Sequence, residues 1–485
     1  MRDQRQSVVT ATAKRDESVA AHGARWVTLA FVFVGLLNYG YAVLLTRLLP
    51  VSAYSVFSAG QGLVLSAGTV ATVSIPWVLA QALARARSDE DRDGAVRFAM
   101  LASAGSGVIA AAVVGLTASR FGAPPTVIVL AVSTFVIFLG TTTTGWLQGR
   151  ERMRALSALY VGENLLKNGA GVVLVMVAGL RETGALAAFG IGGIAMLLRW
   201  PRVSHGSGRP WRAALANSDL WRRALRMAMA QGAVSLLAAI DVVLVAILPG
   251  SRALAASYQA SATLSRVPLY IAGAVATAFF PSLSRQVAGG MIGARAVRMY
   301  TAAAMPFAAV LMTLPAPVLA AVFPAQYGAM ATLLKYTAIG GLAVGGISLA
   351  TAFFQAANDY SCLWWLGAGL ACYVGALLAG WQIAGVTGLA AGGAAGAAAA
   401  LALITYRLVR LQGRTVFALV TLGEPIGIVA VLAVLRPHEA LWLAAAIVTG
   451  VRTGVRFMHP GARHARRPNV MAPLYRRLRG GGADT

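Results

Sequence analysis

Charge is what this sequence has least of. Only 12% of its 485 residues are Asp, Glu, Lys or Arg, against about a quarter in a soluble globular chain. Too few polar side chains remain to cover a water-facing surface, which excludes a soluble domain. Cysteine is nearly missing: Cys362 and Cys372 both lie in one apolar segment. With no CxxC pair, a disulfide framework and a thiolate metal site are excluded, and each thiol reads as a small apolar group. The histidines (22, 205, 438, 459 and 464) are scattered through tails and loops without helical pairing, so no metal site is expected. Segments of about ten alternating residues are absent, which argues against a membrane β-barrel. Residues 1–24 carry no apolar core of a signal peptide, so none is expected, and the first helix serves as the insertion signal.

What is present is apolar length. A membrane-spanning helix needs about 20 predominantly apolar residues. Fourteen such segments can be placed, at about 26–46, 55–82, 98–118, 125–147, 156–180, 184–198, 225–249, 254–280, 299–323, 331–357, 361–383, 386–409, 415–435 and 440–457. The sixth is short, and the last two read either as spans or as a re-entrant or interfacial pair. The chain is therefore expected to be an all-α polytopic membrane protein.

The net charge of +25 invites a nucleic-acid partner, but the positions of the charges argue against one. With the N-terminus inside, about 33 of the 41 basic residues fall in or at the edge of the N-terminal tail, the loops after even-numbered helices and the C-terminal tail. The outer loops hold five, namely Arg47, Arg120, Arg181, Arg252 and Arg436. That is the asymmetry that sets membrane topology. It predicts a multi-pass protein of the cytoplasmic membrane with both termini cytoplasmic, its basic flanks touching anionic lipid and no nucleic acid.

The chain also repeats. Pro76 in "VSIPWVLAQALAR" and Pro281 in "AFFPSLSRQ" lie 205 residues apart, and Gln148 and Gln355 lie 207 apart. Helices 1–6 and 7–12 thus read as two copies of a six-helix unit. An even number of helices per copy puts both in the same orientation, related by a pseudo-two-fold along the membrane normal, with a cleft between two bundles. The expected organisation is a cytoplasmic tail (1–25), a first bundle with its cytoplasmic linker (26–210), a second bundle (211–412), helices 13 and 14 (413–458) and a basic cytoplasmic tail (459–485).

Several segments carry a family likeness. "LLTRLLPVSAYSVFSAG", "AAIDVVLVAILPGSRALAASYQASATLSRVPLY", "GWLQGRERMRALSALYVGENLLK" and "VFPAQYGAMATLLKYTAIGG" occur in the order and spacing of helices 1–2, 7–8, 4–5 and the entry to helix 10 of a known group. The chain resembles the polysaccharide flippases of the MOP superfamily over most of residues 26–410. Ser55, and Ala256 or Ser257, stand where that group usually has a turn glycine. The Arg- and Gly-rich first loop of lipid II flippases is not found. The resemblance implies export of undecaprenyl-diphosphate-linked oligosaccharide units for surface polysaccharide synthesis, without bond-breaking chemistry, and a polysaccharide polymerase or glycosyltransferase as working partner.

Moving a diphosphate through hydrocarbon needs fixed counter-charges. Three cations lie inside spans away from the cytoplasmic ends: Lys167, Arg266 and Lys335. Arg266, in mid-helix 8, suits a diphosphate because guanidinium pairs with phosphate through a fork; the alternative is an ion pair with Asp241. Lys335 either lines the cleft or snorkels to the interface. Glu163 and Lys167 are spaced i,i+4, so they share a helix face and can pair, with Asn164 and Asn168 extending the stripe. Asp241 is a site for a coupling proton or Na⁺, a counter-ion for Arg266, or a hydrogen-bonded packing residue; Glu163 is the second candidate for ion coupling. Asn38, Tyr39 and Tyr41 of helix 1 and Gln61 of helix 2 either meet sugar or pack. The glycines at 388, 392 and 396 read as a helix-packing surface, and Pro76, Pro268, Pro281 and Pro306 as sites of bending. No cofactor is expected beyond a coupling ion. Competing readings are a small-molecule or drug antiporter of the same superfamily and a lipid II flippase. A membrane glycosyltransferase is disfavoured, because no large outer loop or acid pair stands out.

Overall fold

The computed structural model describes residues 33–35, 37–150, 152–201, 218–285, 291–420 and 423–458. The N-terminal tail, the Arg-rich linker and the basic C-terminal tail lie outside them. Every regular element among the described residues is helical. The first bundle comprises α1 (Phe33–Leu48), α2 (Val51–Arg85), α3 (Asp89–Ala118), α4 (Pro124–Gly149), α5 (Met153–Met176) and α6 (Arg181–Leu197). The second comprises α7 (Ser218–Ile247), α8 (Arg252–Leu264), α9 (Val267–Arg285), α10 (Met291–Thr313), α11 (Ala316–Val322), α12 (Met330–Ala356) and α13 (Cys362–Gln412). Two further helices follow, α14 (Gly423–Leu435) and α15 (Glu439–Met458).

Among the described residues seven helices are long and apolar enough to cross a bilayer. One of them, α13, supplies both the eleventh and twelfth expected spans, because the chain doubles back at Ala384 and Gly385. Gly385 has φ 57°, a backbone that a residue with a Cβ adopts only with strain. The two arms then touch backbone to backbone: a methyl at Gly392 would fall 2.1 Å from the Ala376 carbonyl oxygen. The small residues at 388, 392 and 396 are thus a packing surface, as their spacing suggested. On α3, Ile109, Val113 and Leu116 are exposed at helical spacing. Such an apolar outer face suits a lipid environment.

Three expected spans differ from the sequence reading. The eighth is not one helix but two, α8 and α9, broken at Ser265–Arg266. Pro268 has no N–H to donate and cannot continue the ladder. Pro76 and Pro306, by contrast, lie within unbroken helices; Pro268 is the one of these three at an interruption. The ninth span ends at Thr313, where Pro315 starts the separate short helix α11. The thirteenth shrinks to α14, with 13 residues, too short to cross a hydrocarbon core of about 30 Å by itself.

The second bundle has its own apolar core, drawn from α7 to α13, with Tyr258, Phe353 and Leu377 at its centre. The bundles meet chiefly along α2 and α7, where Ser66 donates to the Ser235 carbonyl at 3.1 Å. At the end of the molecule that carries the α1–α2 turn, a shared cluster joins both bundles. Within it Tyr54 and Tyr327 stack edge to face with centroids 5.6 Å apart. At the opposite end, Phe98 of α3 meets Trp221 of α7 at 5.0 Å. The last two helices dock on α10 through Trp442, which is buried and donates from Nε1 to Thr313 Oγ1 at 3.2 Å.

Candidate functional site

The break between α8 and α9 lies at the wall of a recess inside the second bundle. Asp241 comes from α7, Tyr258 from α8, Arg266 from the break, Tyr336 and Thr337 from α12, and Tyr373 from α13. Each position follows from local chemistry. The unfinished turn lets Arg266 leave the α8 face and line the recess. Ser265, one residue earlier, donates to Thr337 Oγ1 at 2.9 Å and ties the break to α12. Gly341 permits that approach, since a methyl there would lie 1.8 Å from the Ser265 carbonyl oxygen.

Inside the recess two opposite charges face each other without touching. Tyr258 donates to Asp241 Oδ2 at 2.8 Å, while Asp241 Oδ1 has no hydrogen-bond partner among the described residues. Arg266 Nη2 likewise has none. No nitrogen of Arg266 comes within 4.0 Å of an Asp241 carboxylate oxygen. The direct ion pair weighed from sequence is therefore not formed; the two groups share a cavity instead. Separated charges with open valences can take a bridging ion or water between them, or part to bind an anion and a cation separately.

The first bundle holds a second polar group. Lys167 is 5% exposed and donates to Asn164 Oδ1 at 2.7 Å; Asn164 Nδ2 donates to Glu163 Oε2 at 2.5 Å. The i,i+4 pair expected between Glu163 and Lys167 is thus bridged by the intervening amide rather than direct. The ammonium also sits 5.0 Å from the Phe189 ring centroid. Gly192 of α6 packs against this turn of α5, where a methyl would lie 2.9 Å from Lys167 Cβ. Both amide atoms of Asn168 are buried without a partner among the described residues.

The remaining candidates are dispersed. Lys335 is exposed, with its ammonium 4.8 Å from the Tyr336 ring centroid, and is not part of the recess wall. Tyr41 is buried against α5, where a methyl at Gly171 would lie 2.0 Å from its hydroxyl oxygen. Gln61 is buried and Asn38 half-buried, and neither lines the recess. Tyr258 and Tyr373 were not singled out from sequence as site residues. The partner of Tyr258, Asp241, lies 17 residues away across a helix hairpin, a separation with no periodic signature.

Neither a protein-family model nor any curated protein sequence matches the chain. Solved structures do. The lipid II flippase MurJ in an inward closed conformation aligns with TM-score 0.68 at 12% identity, covering 91% of this chain and 99% of the other. An inward-facing multidrug resistance MATE family transporter of the MOP superfamily aligns with TM-score 0.61 at 16% identity, covering 79% of this chain and 98% of the other. A MOP superfamily transporter from Pyrococcus furiosus, described by the reverse polarity of its binding pocket, aligns with TM-score 0.50 at 15% identity, covering 80% and 95%. The chain therefore has the multi-pass helical fold of the MOP-superfamily transporters.

Proposed function

We propose that the protein flips an undecaprenyl-diphosphate-linked oligosaccharide across the cytoplasmic membrane, by alternating access of its two bundles, with both termini cytoplasmic. Arg266 carries this reading: a guanidinium with an unpartnered Nη2, set at a helix break beside a recess deep in the span. A diphosphate entering hydrocarbon must replace its hydration with fixed donors, and a forked guanidinium offers two in one plane. No covalent step is needed. Asp241 and Glu163 are the sites where a proton or Na⁺ would be exchanged as the bundles alternate. The broader alignment with the lipid II flippase than with the MATE transporter supports a lipid-linked cargo at the level of fold.

The test is to delete the gene in its host, complement it with Arg266→Ala or Asp241→Asn, and measure lipid-linked glycans in each leaflet. The reading expects intermediates to accumulate on the cytoplasmic leaflet and Arg266→Ala to fail in rescue. Unchanged glycans with reduced efflux of small molecules would replace it with the antiporter reading, for which the open valence of Asp241 would be the cation site.

A further inference from the structure

Helix α1 reaches across to the second bundle with two donors, and each meets the carbonyl end of an interrupted helix. Tyr39 donates to the Thr263 carbonyl at 3.1 Å and also to the Leu264 carbonyl. Arg47 donates through Nη2 to the carbonyls of Val322 at 2.8 Å and Ala321 at 3.3 Å, and through Nε to Val322 at 3.3 Å. The Thr263 carbonyl already accepts from the Arg266 N–H at 3.3 Å, but the others lack a helical partner for a reason written in the chain. The ladder partner of the Leu264 carbonyl would be the N–H of residue 268, and that residue is proline. Ala321 and Val322 are the last residues of α11, whose carbonyls have no later turn to bond. Tyr39 and Arg47 stand eight residues apart, so the two contacts are spread over roughly 12 Å of helix.

We propose that Tyr39 and Arg47 form an interbundle latch that keeps the α1–α2 end of the molecule shut, and that it must release for the bundles to part there. On the orientation proposed above this is the outer end. Arg266 follows Leu264 by two residues, so, on the functional reading above, the inner half of the latch sits beside the cargo anchor. An outward opening would withdraw Tyr39 from Leu264 and leave its carbonyl bare until cargo or water replaces the donor. The buried stack of Tyr54 and Tyr327 at the same end adds packing to the closed state but no directional bond.

The test uses the full chain in phosphatidylcholine nanodiscs, with Cys362 and Cys372 replaced by alanine. Spin labels are placed at Arg120→Cys and Ala253→Cys, both exposed and on opposite bundles. Tyr39→Phe removes only the hydroxyl, and the open population in the distance distribution should rise about five-fold, the worth of one net hydrogen bond. Arg47→Gln should raise it by about ten-fold, since a charged donor is lost. Pro268→Ala returns an N–H to the Leu264 carbonyl; in that background Tyr39→Phe should add less than about two-fold, a non-additivity that ordinary packing loss would not produce. Unchanged distributions in both single variants would overturn the latch, as would an equal Tyr39→Phe shift with and without Pro268. The distances are read without cargo. A failed flippase reading therefore leaves the latch standing, and a failed latch leaves Arg266-dependent flipping standing.

Discussion

Gly340 and Gly341 are neighbours on α12, yet a methyl group should have opposite effects at the two. At Gly340 nothing lies within 4 Å of the added carbon. The change removes a flexible residue from a helix and should be neutral or stabilising, by up to about 1 kcal/mol. At Gly341 the same carbon would fall 1.8 Å from the Ser265 carbonyl oxygen and 2.9 Å from its carbonyl carbon. Both are backbone atoms, so no side chain can swing away. Ordinary contact begins near 3.4 Å, so α12 and the α8–α9 break must separate by roughly 1.5 Å, in an interior that packs like a crystal. Overpacking of this kind costs about 1–3 kcal/mol or more. The separation would also stretch the 2.9 Å bond from Ser265 to Thr337 and move Arg266, the next residue. Thermal unfolding in detergent, followed by fluorescence-detected gel filtration, should place Gly341→Ala several degrees below wild type and Gly340→Ala at or above it. Flipping should fall with Gly341→Ala. Equal melting temperatures for the two variants would refute the contact between α12 and the break, and with it the placement of Arg266.

Asn164→Ala should cost about 1–3 kcal/mol, because it strips the buried Lys167 ammonium of the amide it donates to and leaves Glu163 unbridged; the paired change Glu163→Gln with Lys167→Met should be tolerated better than either single change, as a double-mutant cycle on melting would show. Trp442→Phe should lower stability by about 1 kcal/mol through loss of the bond to Thr313, and limited proteolysis should then release the C-terminal helices earlier than in wild type. The loop between α12 and α13 should be acid-sensitive. Burial alone would raise the Asp359 carboxyl, but hydrogen bonds from Ser361 and the Arg407 guanidinium, 2.7 Å away, outweigh it and hold the group below the usual carboxylate range. The stabilisation is present above the ordinary carboxylate value of about 4 and is lost as pH falls below it. Asp359→Asn should remove that acid step from a melting-versus-pH curve while Asp89→Asn, on an exposed pair, should not.

Much of the fold was legible because a bilayer imposes length and charge on sequence. Residues 361–383 and 386–409 were separated from hydropathy alone, and the chain reverses at Ala384 and Gly385. The break in the eighth span was only half legible. Pro268 marked a bend, but so did Pro76 and Pro306, and those two stay within continuous helices. The local rule is the same for all three, yet only at Pro268 is the helix interrupted. There Tyr39 supplies the missing donor to Leu264, from a residue more than 200 positions away.

The candidate site divides in the same way. That Asp241, Arg266, Glu163 and Lys167 must face protein or water followed from composition, since an isolated charge in hydrocarbon is too costly to leave against lipid. Within one helix, Lys167 and Glu163 are joined through Asn164 rather than directly. Between helices, tertiary packing decided: Asp241 takes its hydrogen bond from Tyr258, and Arg266 lines the same recess with Nη2 unpartnered among the described residues. Periodicity assigns a residue to a face of its own helix. The distance between two faces depends on where glycines let helices close and where prolines make them open, and that is a property of the assembled bundles.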